Sequence, residues 1–163
     1  MTGAARESET LMSDDDAVRD ADTPQGYPAF ADLPPGGAWI HDHGLLFDEI
    51  SGTRVTAHIE LSARHWTPWG VVHGGVYTTA IESVASVGAS AAVFEQGQFA
   101  VGVNNTTDFL RSMREGAVDI VAEPVIQGRV QQLWRVTITR RADGKAIAQG
   151  QVRLQNVPLP RSE

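Results

Sequence analysis

The alternation of hydrophobic and polar residues divides the chain into short strand-like segments on either side of one long apolar segment. Residues 45–50 and 53–61 each predict a strand, and Ser51-Gly52 between them is typical of a tight turn. Residues 75–94 are almost all small or apolar, which is typical of a helix that is buried on nearly every side. Gln96-Gly97 predicts the end of this helix.

Four further runs with strand character follow the helix, and the last two flank Asp143-Gly144, a strong hairpin signal. They cover residues 99–111, which lead through the polar residues 104–107, then 117–125, 130–141 and 146–156. Two strands, a long buried helix and several long strands predict an α+β architecture. We expect one antiparallel sheet curled around one central helix, without a second domain.

The N-terminal part of the chain differs in composition from the rest. Residues 1–25 carry seven acidic and two basic side chains, which is −5 of the total net charge of −7, and they lack periodicity. Residues 26–44 are rich in proline and glycine and predict a loop across the surface, with Trp39 and Ile40 as anchors. We therefore predict a largely disordered leader over residues 1–40, one domain over 41–157 and a tail over 158–163.

Composition excludes several classes of function. Without cysteine, the chain has no disulfide, thiolate metal site or cysteine nucleophile. The nearly neutral globular part offers no basic stripe for nucleic acid, and no apolar run reaches the roughly 18–20 residues of a membrane span. His41 and His43 lack a third ligand nearby, so no metal is expected. The N-terminus has no signal-peptide pattern, and we predict a cytoplasmic protein.

Glu82 is the only residue with a full charge between Arg64 and Glu95. A carboxylate is rarely buried in an apolar helix without a partner or a purpose. Glu82 is therefore either a structural carboxylate, paired with an arginine or an amide, or the leading candidate for catalysis. Ser86 lies one turn further along the same helix face.

His73-Gly74-Gly75 lies where a loop enters the predicted helix. The first amides of a helix are unpaired donors at the positive end of its dipole, and glycine permits close approach of a ligand. Such a site can bind an anion or the oxyanion that develops on a carbonyl, although a plain glycine turn is the alternative. Glu82 follows Gly75 by about two turns, so a bound carbonyl could meet Glu82 of the same chain or of a partner.

Other catalytic systems are absent from the sequence, which has neither a G-x-S-x-G nor an H-E-x-x-H motif. Arg111 and Arg129, the latter beside Gly128, are candidates for guanidinium contacts to phosphate. Each arginine alone is more typical of a surface or ion-paired residue.

Three segments carry a more specific pattern: G-V-V-H-G-G-V-Y-T-T-A-I-E at residues 70–82, A-V-G-V-N-N-T-T-D-F-L-R at 100–111 and G-Q-V-R-L-Q-N at 150–156. Together they resemble the hotdog-fold thioesterases of the PaaI and Arthrobacter-type 4-hydroxybenzoyl-CoA thioesterase group. The resemblance covers about residues 45–157. It implies a curved sheet wrapped around a long helix, dimers joined edge to edge, and usually a dimer of dimers.

The same resemblance implies hydrolysis of acyl-CoA or aryl-CoA thioesters at the dimer interface, with no cofactor. By position, Glu82 is the nucleophile or general base, the Gly74 amide binds the oxyanion, His73 shapes the loop and Ser86 assists hydrolysis. The positions assigned to substrate or CoA binding are Thr67, Gly75, Asn105, Arg111, Gly128 and Arg129.

The chain departs from the family pattern at three places. Thr67 stands where the aryl-CoA enzyme has a glutamine, and Glu82 stands where the PaaI branch has an aspartate. The turn at residues 127–130 lacks the hydroxyl pair of the family. Two alternatives stay open: a non-catalytic acyl-CoA-binding module, and an enoyl-CoA hydratase-type hotdog enzyme, whose usual D-x-x-x-x-H arrangement is missing.

Overall fold

The computed structural model describes residues 29–34 and 37–160. The disorder predicted for residues 1–28 and the end of the predicted tail, residues 161–163, lie outside the described residues. Within the described ranges, no helix is both long enough and apolar enough to cross a membrane.

Two α-helices and six strands make up the described part of the fold. The helices are α1 (Gly37–Asp42) and α2 (Gly74–Ala91). The strands are β1 (Leu45–Ile50), β2 (Val55–Leu61), β3 (Gln98–Phe109), β4 (Gly116–Gln127), β5 (Gln131–Arg140) and β6 (Ala146–Pro158). They form one antiparallel sheet in the order β1-β2-β4-β5-β6-β3, curved around α2. The predicted α+β architecture, one sheet curled around one central helix, is confirmed.

The core lies between α2 and the concave face of the sheet, and its largest side chain is Trp134 on β5, which is fully buried. Gly88 of α2 lies directly over this ring, because a Cβ there would stand 2.6 Å from the indole and 2.8 Å from Val55 Cγ2. A small helix residue therefore makes room for a large aromatic residue. The indole N–H donates to Gln132 Oε1 at 2.9 Å, so the buried polar atom is satisfied.

The strand-like run predicted over residues 99–111 corresponds to β3. Its polar residues 104–107 pair with β6 from Asn104–Arg153 to Thr107–Gly150, and an irregularity lies between Gly102 and Asn104. One segment differs from its prediction. Residues 37–42, predicted as part of a loop, form α1, since a short amphipathic turn can bury one side chain. Ile40 is that side chain, at 5% exposure, whereas Trp39 is 65% exposed and does not anchor the segment.

β1 and β3 are the two edge strands of the sheet. Within the described residues, β3 pairs only with β6, so its outer edge presents unpaired backbone groups. Large apolar side chains are exposed along and just beyond this strand at Val101, Val103, Phe109 and Leu110, together with the polar residues Asn104, Thr106 and Asp108. An unpaired edge of this length is suited to pairing with another strand.

Candidate active site

His73 forms the N-cap of α2 through its side chain. Its Nδ1 accepts a hydrogen bond from the Gly75 N–H at 2.8 Å, which requires the ring proton of the neutral imidazole to be on Nε2. The His73 backbone N–H donates to the His65 carbonyl at 2.8 Å and so ties the cap to the preceding loop. Gly75 is suited to this cap, because a Cβ there would lie 2.9 Å from His73 Nδ1.

The Gly74 amide is the free donor at this helix end. The Gly75 N–H is bonded to the His73 side chain, and the Val76 N–H donates to the His73 carbonyl at 3.0 Å. The Gly74 N–H has no acceptor among the residues that the structure describes. A Cβ at Gly74 would lie 3.0 Å from Cζ of Phe109, so the glycine also sets how closely that ring approaches the amide. An unpaired first amide beside an apolar ring can hold the oxygen of a bound carbonyl.

Glu82 lies in the middle of α2 and faces β3, where it is half-buried rather than fully buried as its apolar surroundings predicted. Its Oε2 accepts a hydrogen bond from Asn105 Nδ2 at 3.0 Å, and Ser86 Oγ lies 3.5 Å from its Oε1. None of the ion pairs among the described residues includes Glu82. The carboxylate is therefore held by neutral hydrogen-bond donors, without a cationic partner among the described residues.

Asn105 holds Glu82 in a fixed orientation. Thr107 Oγ1 donates to Asn105 Oδ1 at 2.8 Å, which turns the Nδ2 group toward α2. There it reaches both the Glu82 carboxylate and, at 3.3 Å, the Thr78 carbonyl. Asn105, predicted to contact substrate, is thus a direct partner of the candidate catalytic carboxylate.

Gly102 provides the space that the Glu82 carboxylate occupies. A Cβ at this position of β3 would stand 2.2 Å from Glu82 Oε1, inside any permissible contact distance. Gly102 is not among the residues predicted for the site. A glycine in a strand interior often marks the close approach of another group, and that signal was available from the sequence.

Gly74 and Glu82 do not meet within one protomer. They lie eight residues apart on one helix, which corresponds to about 12 Å along its axis. A reacting carbonyl needs its oxygen donor and its base or nucleophile each at about 3 Å. One chain therefore carries both groups of the predicted site, the Gly74 amide and the Glu82 carboxylate, but they are too far apart to act on the same carbonyl.

The two arginines assigned to phosphate are also far apart. Arg111 Nη1 donates to the Ala146 carbonyl at 2.6 Å, whereas the carbonyls of Gly128 and Arg129 accept from Asn156 Nδ2 at 3.0 and 3.2 Å. Ala146 and Asn156 lie at opposite ends of β6, ten residues or about 33 Å apart. Within one chain, the two regions assigned to phosphate therefore lie at opposite ends of β6 and do not form one cluster.

Thr67 is committed to the loop that precedes α2. Its Oγ1–H and its backbone N–H both donate to the Val71 carbonyl, at 3.1 and 2.7 Å. The structure therefore gives the Thr67 hydroxyl a structural partner in place of the amide that a glutamine would offer. Across residues 29–34 and 37–160, no group of three His, Asp or Glu side chains is arranged to hold a metal ion.

Tyr77 lies one turn into α2 with its ring 6.4 Å from that of Phe109, and its hydroxyl is buried without a hydrogen-bond partner in the described structure. Burial raises the pKa of Tyr77 to about 12, and the positive charge of Arg140 opposes this shift. Because the folded pKa exceeds the unfolded value of about 10, the contribution of Tyr77 to stability is complete below pH 10 and is lost as the pH rises toward 12.

We expect Tyr77→Phe to leave the free energy of unfolding at pH 8 unchanged or to raise it by about 1 kcal/mol, because an unpaired buried hydroxyl is removed. Its stability should also fall less than that of the wild type between pH 9 and about pH 11. Urea unfolding at a series of pH values measures both effects. An alkaline loss of stability in Tyr77→Phe identical to that of the wild type would contradict the assignment.

Comparison with known proteins identifies the family of the chain. The family model of the thioesterase superfamily matches residues 70–147. The Mycobacterium tuberculosis protein named "Putative esterase Rv1847" is 47% identical over 116 residues, which cover 70% of this chain and 82% of that protein. The chain belongs to the thioesterase superfamily.

Solved structures and a further relative agree with this membership. The structure of the M. tuberculosis protein has a TM-score of 0.72 at 44% identity and covers 76% of this chain and 98% of that chain. AziG of S. sahachiroi also has a TM-score of 0.72, at 37% identity over 76% of this chain and 98% of its own. The 1,4-dihydroxy-2-naphthoyl-CoA hydrolase of Escherichia coli is 33% identical over 94 residues, 58% of this chain and 68% of that protein. The predicted hotdog fold is confirmed.

Proposed function

We propose that this thioesterase superfamily member hydrolyses acyl-CoA or aryl-CoA thioesters to the free acid and CoA. The observation that carries the proposal is the Glu82 carboxylate, which accepts from Asn105 and Ser86 and has no cationic partner in the described ranges. Relatives named thioesterase and 1,4-dihydroxy-2-naphthoyl-CoA hydrolase support a CoA thioester as the substrate. The glutamate in place of an aspartate favours the Arthrobacter-type group over the PaaI branch.

Two routes are open to Glu82. As a general base, its carboxylate takes a proton from water while the water oxygen attacks the carbonyl carbon. As a nucleophile, it attacks the carbon itself and forms a mixed anhydride, which water then hydrolyses. In both routes the C–S bond breaks, the CoA sulfur leaves with the electron pair and takes up a proton, and the Gly74 N–H stabilises the oxyanion. Water is the only co-reactant, so the proposal requires no cofactor.

A dimer with two-fold symmetry would bring Glu82 of one protomer close to Gly74 of the other. Along β3, Gly102 lies beside Glu82, and Phe109 lies beside Gly74. If the free edges of two β3 strands pair antiparallel around a two-fold axis between these positions, their order is reversed across the interface. The partner subunit's Gly74 then lies near Glu82, and the partner's Arg129 lies toward the Arg111 end. The unpaired edge of β3, with Val101, Val103 and Phe109 exposed along the strand, supports this arrangement.

The proposed activity is tested by release of CoA thiol from a panel of benzoyl-, hexanoyl- and acetyl-CoA, with crotonyl-CoA hydration measured in parallel. The protein has no cysteine, so a thiol reagent reports only the product. Thiol release well above the uncatalysed rate supports the proposal. Hydration of crotonyl-CoA without thiol release would instead support a hydratase, and binding without either reaction a non-catalytic module.

Mixing two inactive variants tests whether the site is shared. Glu82→Gln removes the carboxylate, and Gly74→Pro removes the amide hydrogen. If each site combines Glu82 of one protomer with the partner subunit's Gly74, a mixed dimer contains one doubly defective and one intact site. After subunit exchange at equal concentrations we expect about one quarter of wild-type activity, since half of the dimers are mixed. No recovery of activity despite demonstrated subunit exchange would mean that both groups act within one chain.

The predicted dimer of dimers and the predicted cytoplasmic location stay predictions.

A further inference from the structure

A cavity lies next to the Glu82 site, between α2 and the edge strand β1. We call it the seam cavity, and its volume is about 810 Å³. Its walls come from three parts of the chain: the N-terminal segment of residues 29–34, the β1 strand with the turn after it, and the C-terminal half of α2. Cavities of this size can enclose a drug-sized or acyl-sized group.

The N-terminal segment forms one wall of the cavity because it is packed against the body of the protein. Phe30–Asp32 forms a turn of 3-10 helix, and the Phe30 ring meets the Phe94 ring edge to face at a centroid distance of 5.2 Å. Such an aromatic pair stabilises the contact beyond its buried area. Residues 29–34 were predicted to belong to a disordered leader, but here they form a wall.

The seam cavity leads to the candidate catalytic carboxylate. Ser86 lines the cavity and places its Oγ 3.5 Å from Glu82 Oε1. Val87 and Ser90 continue the wall along α2, away from Glu82. Glu82, Ser86 and Ser90 follow one another at intervals of four residues, so they lie on one face of the helix. A group that enters the cavity from the Glu82 end extends away from the reacting atoms.

The side chains that line the seam cavity indicate which kind of chemical group can bind in it. Phe30, Leu33, Phe47, Ile50 and Val87 provide an apolar surface. The charged side chains at the cavity are all acidic: Asp48, Glu49 and Glu95. Asp48 pairs with His58, whereas the described ion pairs include neither Glu49 nor Glu95. Negative charges disfavour the phosphates of CoA and any acyl group that carries a carboxylate.

We propose that the seam cavity receives the acyl group of the substrate, and that the preferred substrates are CoA esters of neutral, apolar acids larger than acetate. The N-terminal segment then determines how large an acyl group fits. This inference rests on the proposed function, since it assigns the acyl subsite of the same reaction.

The first test fills the cavity. Val87→Phe should lower kcat/KM for octanoyl-CoA at least about 10-fold and change that for acetyl-CoA less than about 3-fold, because an added ring excludes only the longer acyl group. Val125→Phe makes the same change at an exposed position of β4 and should alter neither value. The wild type should also prefer hexanoyl-CoA to glutaryl-CoA, which adds a carboxylate. Equal effects of Val87→Phe on both esters, or no effect on either, would overturn the proposal.

The second test measures substrate binding without catalysis. In the Glu82→Gln background, calorimetry should give a tighter Kd for octanoyl-CoA than for CoA alone, and both Val87→Phe and Phe30→Ala should reduce this difference at least about 5-fold. If the wild type cleaves no thioester but this difference exists, the proposed function fails and the acyl subsite stands. If the wild type cleaves octanoyl-CoA and the difference is absent or insensitive to both variants, the subsite assignment fails alone.

Discussion

We expect replacement of Glu82 by glutamine to lower kcat for the proposed thioester hydrolysis at least about 100-fold and to leave the fold unchanged. Glutamine has nearly the same shape; its amide oxygen can still accept from Asn105, and its NH2 group can donate to Ser86 Oγ, so α2 and β3 keep their contact. It can neither accept a proton from water nor attack a carbonyl. A 100-fold loss corresponds to about 2.7 kcal/mol of transition-state stabilisation and is the lower range for an essential base.

The measurement is the rate of thiol release at saturating substrate, with circular dichroism and thermal unfolding to verify the fold. Glu60→Gln makes the same chemical change at an exposed position of β2 and should retain wild-type turnover. If Glu82→Gln keeps wild-type kcat on a good substrate, Glu82 has no chemical role. It would then be a structural carboxylate held by an amide.

Gly74→Pro should lower kcat by about 100- to 1,000-fold, while Gly74→Ala loses far less. Both variants add a Cβ that meets Phe109 at about 3.0 Å, but only proline removes the N–H that is proposed to hold the oxyanion. The first position of a helix tolerates proline, because its amide has no partner within the helix. His73 also suits a following proline, since its backbone is extended at φ −67° and ψ 133°. The expected loss is that of one oxyanion donor.

The ratio between the two Gly74 variants is the decisive quantity. The effect of the added Cβ appears in both variants and cancels in the ratio, whereas the effect of the amide hydrogen remains. KM should change less than kcat in Gly74→Pro, because the oxyanion forms only in the transition state. Similar kcat values for alanine and proline would exclude the Gly74 amide as an oxyanion donor.

The role of Asn105 in the fold differs from the role that the sequence predicts for it. The family resemblance assigned Asn105 to substrate contact. In the fold, pairing with β6 makes the strand continuous and alternates its side chains, so Asn105 and Thr107 point to the same face. Local polarity could not reveal this, because the cross-strand partners lie more than forty residues away in the sequence.

The sequence alone predicted the six strands, the long helix α2 and the two groups of the candidate site, the Glu82 carboxylate and the Gly74 amide. Hydrophobic alternation predicted the strands, because one sheet face is buried, and the apolar run predicted α2, because the sheet surrounds it. Glu82 was identified as a lone charge in that run, and Gly74 as an early amide of the helix. These signals are local, since each depends on neighbours within a few residues.

The tertiary structure decided how these groups are related in space. It half-exposes Glu82, provides a pocket for it at Gly102, and separates it from the Gly74 amide of its own chain by about 12 Å. It also packs residues 29–34 over the seam cavity. Each of these facts depends on contacts between segments distant in the sequence, which no local pattern records. The separation of the two poles is the physical reason for proposing that a second copy of the chain completes the site.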